Sequence, residues 1–290
     1  MIKILITGAG SFIGTAFASY LAQWPLSYQV DTLDMVDGSW RNKCFAGYDT
    51  VYHVAGLAHS DSGHMNEERK ALYYRINTDL AVETAKKAKA DGVKQFIFMS
   101  SAIVYGDSAP IGQIKRITKN TAVSPANAYG DSKLQAEKGI LPLDDDQFKV
   151  VILRPPMIYG KGSKGNYPVL SKLAQKMPVF PYVENQRSVL YVGNLVEFVR
   201  LIIEHEERGI FWPQNKEYIN TSNFVQLIAQ VHGRKLLMVR GTLWLLKLLA
   251  HVTSLVNKAF GSLCYDMSIS EYKCEYCKFS LEESISMTEK

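Results

Sequence analysis

The stretch Lys3-Ile4-Leu5-Ile6-Thr7-Gly8-Ala9-Gly10-Ser11-Phe12-Ile13-Gly14 decides the fold. An apolar run meets closely spaced glycines, and a helical pattern starts at Phe12. In such a strand–turn–helix unit Gly8 takes the tight turn, Gly10 or Ser11 lets the backbone approach a pyrophosphate, and Gly14 lets the helix pack close to the strand. Phe12 and Ile13 open that helix, where free N–H groups and the positive dipole end meet phosphate oxygens. A glycine trio alone is a weak signal, and its place between strand and helix supplies the context. Asp34 follows about 20 residues later, at the end of a second strand candidate. A carboxylate there hydrogen-bonds the adenosine ribose and repels a 2′-phosphate, which points to NAD rather than NADP.

Working outward, the strand candidates are Lys3–Thr7, Gln29–Asp34, Thr50–Val54, Gln95–Ser100 and Lys149–Leu153. Between them lie helical patterns at Phe12–Gln23, Asp79–Asp91 and Tyr129–Gly139. Apolar runs separated by helices describe a parallel sheet covered on both faces. The expected class is α/β, a Rossmann-type doubly wound sheet with a smaller C-terminal substrate-binding lobe. The expected dinucleotide domain is 1–155, with 186–206 packing back onto it, and the lobe is 156–290.

The 290 residues carry a net charge of +5 with no dense basic run, which argues against a nucleic-acid surface and for a small anionic ligand. The 16 tyrosines, without a basic groove, serve packing. The chain begins on a strand-like run without the regions of a signal peptide, so a cytoplasmic protein is expected. Leu243–Leu255 is apolar but interrupted by Lys247 and His251, and falls short of about 18 clean apolar residues. It reads as a core helix, with an interfacial helix on a membrane as the alternative. Cys44, Cys264, Cys274 and Cys277 form no disulfide framework, and the Cys274/Cys277 pair lacks the second pair a zinc site needs. His53 reads as a packed core histidine, and His59 and His64 as loop residues. No metal is expected.

Tyr129-Gly130-Asp131-Ser132-Lys133 places a tyrosine and a lysine one helical turn apart on the same face. A general-base tyrosine, with an ordinary pKa near 10, needs a neighbour that favours the phenolate, and a lysine ammonium does this. Upstream, Ser100-Ser101 ends a strand, where a hydroxyl can hold a substrate oxygen.

Taken in order, these residues resemble the extended short-chain dehydrogenase/reductase family, in its NAD-dependent epimerase/dehydratase branch. The likeness runs over about residues 1–205, through Asp49–Ala55, Tyr74–Asn77, Ser100–Gly106, Tyr129–Lys133 and Leu153–Gly160. It implies catalytic roles for Ser101, Tyr129 and Lys133, with Lys133 also on the nicotinamide ribose, and cofactor contacts at Ala55 and Asn77. It implies that Asn166 and Arg187 contact a nucleotide-sugar, with the Arg187 guanidinium fork on its diphosphate. Ser11 departs from the family's central glycine, and the segment from Asp34 to Asp49 is short, with Asp37 standing in for an adenine contact. Ala102 and Ile103 replace the Asp-Glu pair of the 4,6-dehydratases and carry no proton, which disfavours dehydration. The expected function is a UDP-hexose-type 4-epimerase. A 4-ketoreductase using NAD(P)H and a non-catalytic dinucleotide-binding regulator are the alternatives. Relatives of this kind often pair as homodimers.

Overall fold

The computed structural model describes residues 1–58, 66–252 and 254–290. In chain order the elements begin with β1 (Ile2–Thr7), α1 (Phe12–Leu21), β2 (Tyr28–Leu33), β3 (Thr50–His53), α2 (Glu67–Tyr73), α3 (Leu80–Ala90), β4 (Gln95–Met99), β5 (Ile114–Ile117) and α4 (Ala128–Ile140). They continue with β6 (Lys149–Leu153), β7 (Met157–Tyr159), α5 (Asn166–Lys176), β8 (Val179–Pro181), β9 (Val189–Tyr191), α6 (Val192–Glu204), β10 (Gly209–Phe211) and α7 (Thr221–Val231). The last are β11 (Leu237–Val239), α8 (Leu243–Val252), α9 (Ser254–Phe260), β12 (Ser262–Tyr265) and α10 (Leu281–Glu289). The chain divides into two compact units. One is Met1–Gly106 with Val123–Pro155 and Val196–Pro213; the other is Asp107–Ala122, Pro156–Leu195 and Gln214–Lys290.

The first unit holds a six-stranded sheet in the order β10-β6-β4-β3-β1-β2, and every neighbouring pair is parallel. β3 and β4 are buried along their whole length, and after Gln95 β4 accordingly reads as an unbroken apolar run rather than an alternating one. Small side chains let helices lie close: Ala81, Ala85 and Ala88 of α3 and Ala136 of α4 join the core with Phe96, Phe98 and Ile152. β1 sits between β2 and β3, so the strand order reverses at its C-terminal end, where doubly wound folds bind ligands. Thr7 is in register with both Leu33 and His53, which brings the three strand ends level.

His53 is a core residue. Its Nδ1 lies 2.7 Å from the Thr7 hydroxyl, its ring stacks on Phe96 and Phe98, and burial holds its pKa down to about 3. His59 and His64 lie outside the described residues. Among the described residues no group of three metal-ligating side chains comes together.

The second unit contains three short parallel pairs, β7–β9, β8–β11 and β5–β12. Strands of three or four residues leave no period-2 signal, so the sequence reading contained none of them. Tyr159 organises part of this unit's core. Its ring stacks on Tyr167 at 5.3 Å and meets Phe224 edge-on at 5.5 Å, and its oxygen accepts from Asn215 Nδ2 at 3.1 Å. The expected core helix at Leu243–Leu255 is corrected. α8 buries Leu246 but leaves Trp244 70% and Leu248 61% exposed. An all-round apolar helix predicts burial, and the tertiary fold gives this one neighbours on only part of its circumference. All four cysteines are free thiols.

Candidate active site

The turn after β1 is shaped by backbone constraints. Gly8 has φ +100°, and a Cβ there would lie 2.8 Å from the Ala55 nitrogen, so the turn packs directly on the segment leaving β3. Gly10 also has positive φ (+72°), but a Cβ there would meet nothing within 4 Å: this position opens outward. At Gly14 a Cβ would lie 2.7 Å from Ser11 Oγ and 3.1 Å from Ile6, so the glycine lets α1 seat against β1. Ser11 caps α1, its Oγ accepting from Gly14 N at 3.1 Å. The N–H groups of Phe12 and Ile13 have no protein acceptor among the described residues. Asp34 is exposed just past β2, with Oδ1 accepting from Val36 N at 2.9 Å. Asp37 is likewise exposed and accepts from the Ser39 N–H and hydroxyl, which hold its carboxyl below its usual range.

Asn77 is fully buried in a π-helical stretch, Tyr74–Asp79, between α2 and α3. Its Oδ1 accepts from Leu57 N at 2.8 Å, and its Nδ2 donates to Leu57 O and to Ser132 Oγ, both at 3.1 Å. The amide is therefore a staple between the segment after β3 and α4, with its hydrogen-bonding capacity engaged by protein. π-turns of this kind recur at functional sites.

The catalytic candidates converge where β4 ends and α4 begins. Asn127 caps α4 by accepting from Gly130 N at 2.9 Å. A Cβ at Gly130 would lie 2.8 Å from Ile103 O, so this glycine lets α4 press against the 3-10 turn Ala102–Tyr105. That approach brings Tyr129 to Ser101, whose side chain also caps the 3-10 turn by accepting from Ile103 N at 3.3 Å. Burial pushes the Tyr129 phenol up to about 12, and the hydrogen bond from Ser101 pulls the other way. Lys133, one turn on, donates to Met99 O at 2.9 Å and lies 4.7 Å from the Phe98 ring centre. Burial pulls its ammonium down to about 8 against the opposing charge of Glu137. A Cβ at Gly56 would lie 3.1 Å from Lys133 Nζ, which ties Lys133 to the wall formed by Ala55, Gly56 and the glycine turn. The expectation that Lys133 makes Tyr129 acidic needs correcting. The ammonium engages the Met99 carbonyl, and Ser101 is the group that lowers the phenol.

Sequence reasoning missed what lies beneath. Glu137, a further turn along α4, is 1% exposed, and its carboxylate accepts from the Ser100 hydroxyl and from Arg154 Nη2 at 2.5 Å and Nε at 3.1 Å. Arg154 Nη1 donates to the Tyr105 oxygen at 2.7 Å, as does Trp212 Nε1. The available signal was the spacing: residues 129, 133 and 137 share one helix face.

The sequence profile of the NAD dependent epimerase/dehydratase family matches residues 4–212. The chain belongs to this family. It is an NAD-dependent enzyme of the epimerase and oxidoreductase kind. A UDP-glucose 4-epimerase from Vibrio cholerae is 31% identical over 227 residues, 75% of this chain and 68% of its own length. From Escherichia coli O157:H7, an N-acetyl-alpha-D-glucosaminyl-diphospho-ditrans,octacis-undecaprenol 4-epimerase is 28% identical over 255 residues, 81% of this chain and 73% of its own. Among solved structures, a UDP-glucuronic acid 4-epimerase from Bacillus cereus in complex with NAD shares the fold at a TM-score of 0.76 and 16% identity, covering 99% of this chain and 97% of the other.

The glycine turn of this epimerase/dehydratase chain fits NAD on its own geometry. The turn is left open at Gly10, two helix N–H groups are unclaimed among the described residues, and a carboxylate stands exposed past β2. The two remaining candidates belong to the second unit. Asn166 is exposed at the start of α5. Arg187 Nη1 donates to the carbonyls of Lys258 at 2.6 Å and Gly261 at 3.2 Å, and burial holds its guanidinium down to about 10.

Proposed function

We propose that the chain is a nucleotide-sugar 4-epimerase acting on UDP-hexose-type substrates by transient oxidation at C4. The observation that carries this reading is the hydrogen-bonded Ser101–Tyr129 pair at the end of β4, one helical turn from a buried lysine that packs on the glycine-turn wall. Gly8, Gly10, Ser11, Phe12, Ile13 and Gly14 would cradle the pyrophosphate of NAD, and Asp34 the adenosine ribose. Ala55, Tyr129 and Lys133 would line the nicotinamide side, with Asn77 holding that wall in place. NAD supplies the reversible hydride acceptor.

Tyr129 Oη takes the proton of the C4 hydroxyl in one direction and returns it in the other, so no proton is consumed over the cycle. Ser101 Oγ donates to the oxygen at C4 in both directions. At about 12 the phenol is neutral at pH 7 and poised as the acid of the return step. The Ser101 hydrogen bond favours the phenolate needed for the forward one. Ala102 and Ile103 offer no proton for eliminating water, which supports epimerisation over dehydration. Arg187 and Asn166 would hold the diphosphate side of the substrate. Both curated relatives named above act on a sugar carried through a diphosphate. The carrier is a nucleoside in one and undecaprenol in the other.

The test is purified enzyme with NAD and UDP-hexoses, followed by NMR. The expected result is interconversion of C4 epimers with no net change in NADH, and a loss of about 10³-fold in Tyr129→Phe with its melting temperature unchanged. Unchanged activity in Tyr129→Phe removes that residue from the mechanism. Stoichiometric NAD(P)H oxidation with a 4-keto sugar would instead identify a ketoreductase, and NAD binding without turnover a regulator.

A further inference from the structure

Helix α8 combines two features. Within ten residues it exposes Leu243, Trp244, Leu245, Leu248 and Leu249, between 40% and 70% each, while Leu246 anchors it. Just before it, β11 exposes Leu237, and its paired strand β8 exposes Val179 in register with it. The second feature is charge. Between Glu217 and Asp266 the sequence contains no carboxylate side chain, yet it carries Arg234, Lys235, Arg240, Lys247 and Lys258. The stretch from Gln147 to Val183 is likewise free of carboxylate side chains, but there the basic residues accompany no exposed apolar helix.

An exposed apolar helix flanked only by cations fits one environment better than water. Its apolar side chains enter the headgroup–acyl boundary, the indole of Trp244 sits at the interface, and the cations meet anionic headgroups. Ten helical residues rise about 15 Å, half of the hydrocarbon thickness, and among the described residues no helix is long and apolar enough to cross a membrane. The helix therefore lies on a bilayer rather than through it. We propose that the second unit docks through α8 on an anionic membrane surface. The inference stands on α8 itself; together with the proposed function it would bring the enzyme to lipid-carried diphosphate sugars.

The experiment is co-sedimentation of the full chain with vesicles of phosphatidylcholine alone and of phosphatidylcholine with about one third phosphatidylglycerol. The paired variant is Trp244→Asp/Leu248→Asp, whose positions are exposed enough to leave the fold intact, as a thermal melt would verify. The expected result is binding at least about tenfold tighter to the anionic vesicles, weakened by salt and reduced about tenfold or more in the variant. Quenching of the emission that Trp244→Phe removes, by lipids brominated near the headgroup, would locate the indole in the interface. Absence of vesicle binding, or equal binding by the variant, overturns the proposal. So does a dimer in sedimentation velocity that the variant splits without any effect on vesicles, because a second copy would then cover the helix. Vesicle binding needs no sugar substrate, so its failure and that of the epimerase reading are seen separately.

Discussion

Glu137→Gln tests whether the buried pair beneath the catalytic residues acts as a unit. Glu137 and Arg154 have side chains 1% and 8% exposed and meet in a bidentate contact at 2.5 and 3.1 Å. At an effective dielectric near 20, unit charges about 4 Å apart attract by about 4 kcal/mol. Neutralising Glu137 forfeits that attraction and leaves the guanidinium buried and uncompensated, a loss of about 3–5 kcal/mol. Urea unfolding at pH 7 should register it, with a fall in melting temperature of roughly 10 °C. Glu137 is also the nearby charge that favours the Lys133 ammonium, so the variant should titrate Lys133 below about 8. The companion Glu137→Leu/Arg154→Met removes both charges, and much of the lost stability should return, since an apolar replacement of a buried pair is often neutral. A loss under about 1 kcal/mol in the single variant, or no recovery in the double one, would refute a coupled buried pair.

The remaining predictions concern neighbouring groups. Gly8→Ala combines left-handed strain with a 2.8 Å clash on backbone and should destabilise by about 2–4 kcal/mol, while Gly10→Ala, strained but facing open space, should lose only about 1 kcal/mol. Equal urea midpoints for the two would contradict the packing described for the turn. For Lys133, the folded value of about 8 lies below the unfolded one, which is about 10.4. Between these values the unfolded chain holds a proton that the folded chain has released, so this lysine makes stability rise with pH across that window. Lys133→Met should therefore inactivate the enzyme yet stabilise it at pH 7, by at most roughly 3 kcal/mol, with the gain shrinking toward pH 10. A gain that did not change between pH 7 and 9.5 would show that the buried ammonium is not the cause.

The sequence by itself determined the features whose causes are local. A turn that demands positive φ at Gly8 and Gly10 announces itself, because few other residues adopt that backbone. The helix after it begins where Ser11 can cap it, and Tyr129 and Lys133 share a face because four residues make about one turn. The buried strands β4 and β6 were legible because a parallel sheet covered on both faces requires continuous apolar runs. The tertiary structure alone decided how these parts act on one another. Burial sets the direction of the shifts at Tyr129 and Lys133, and burial depends on the whole packing around α4. Ser100, Glu137 and Arg154 meet across separations of 37 and 17 residues, so no period in the sequence foretells them. The same holds for Asn77, whose amide reaches Leu57 and Ser132. It holds for α8 as well: its composition predicts burial, and only the arrangement of its neighbours buried Leu246 and left Trp244 and the other leucines exposed.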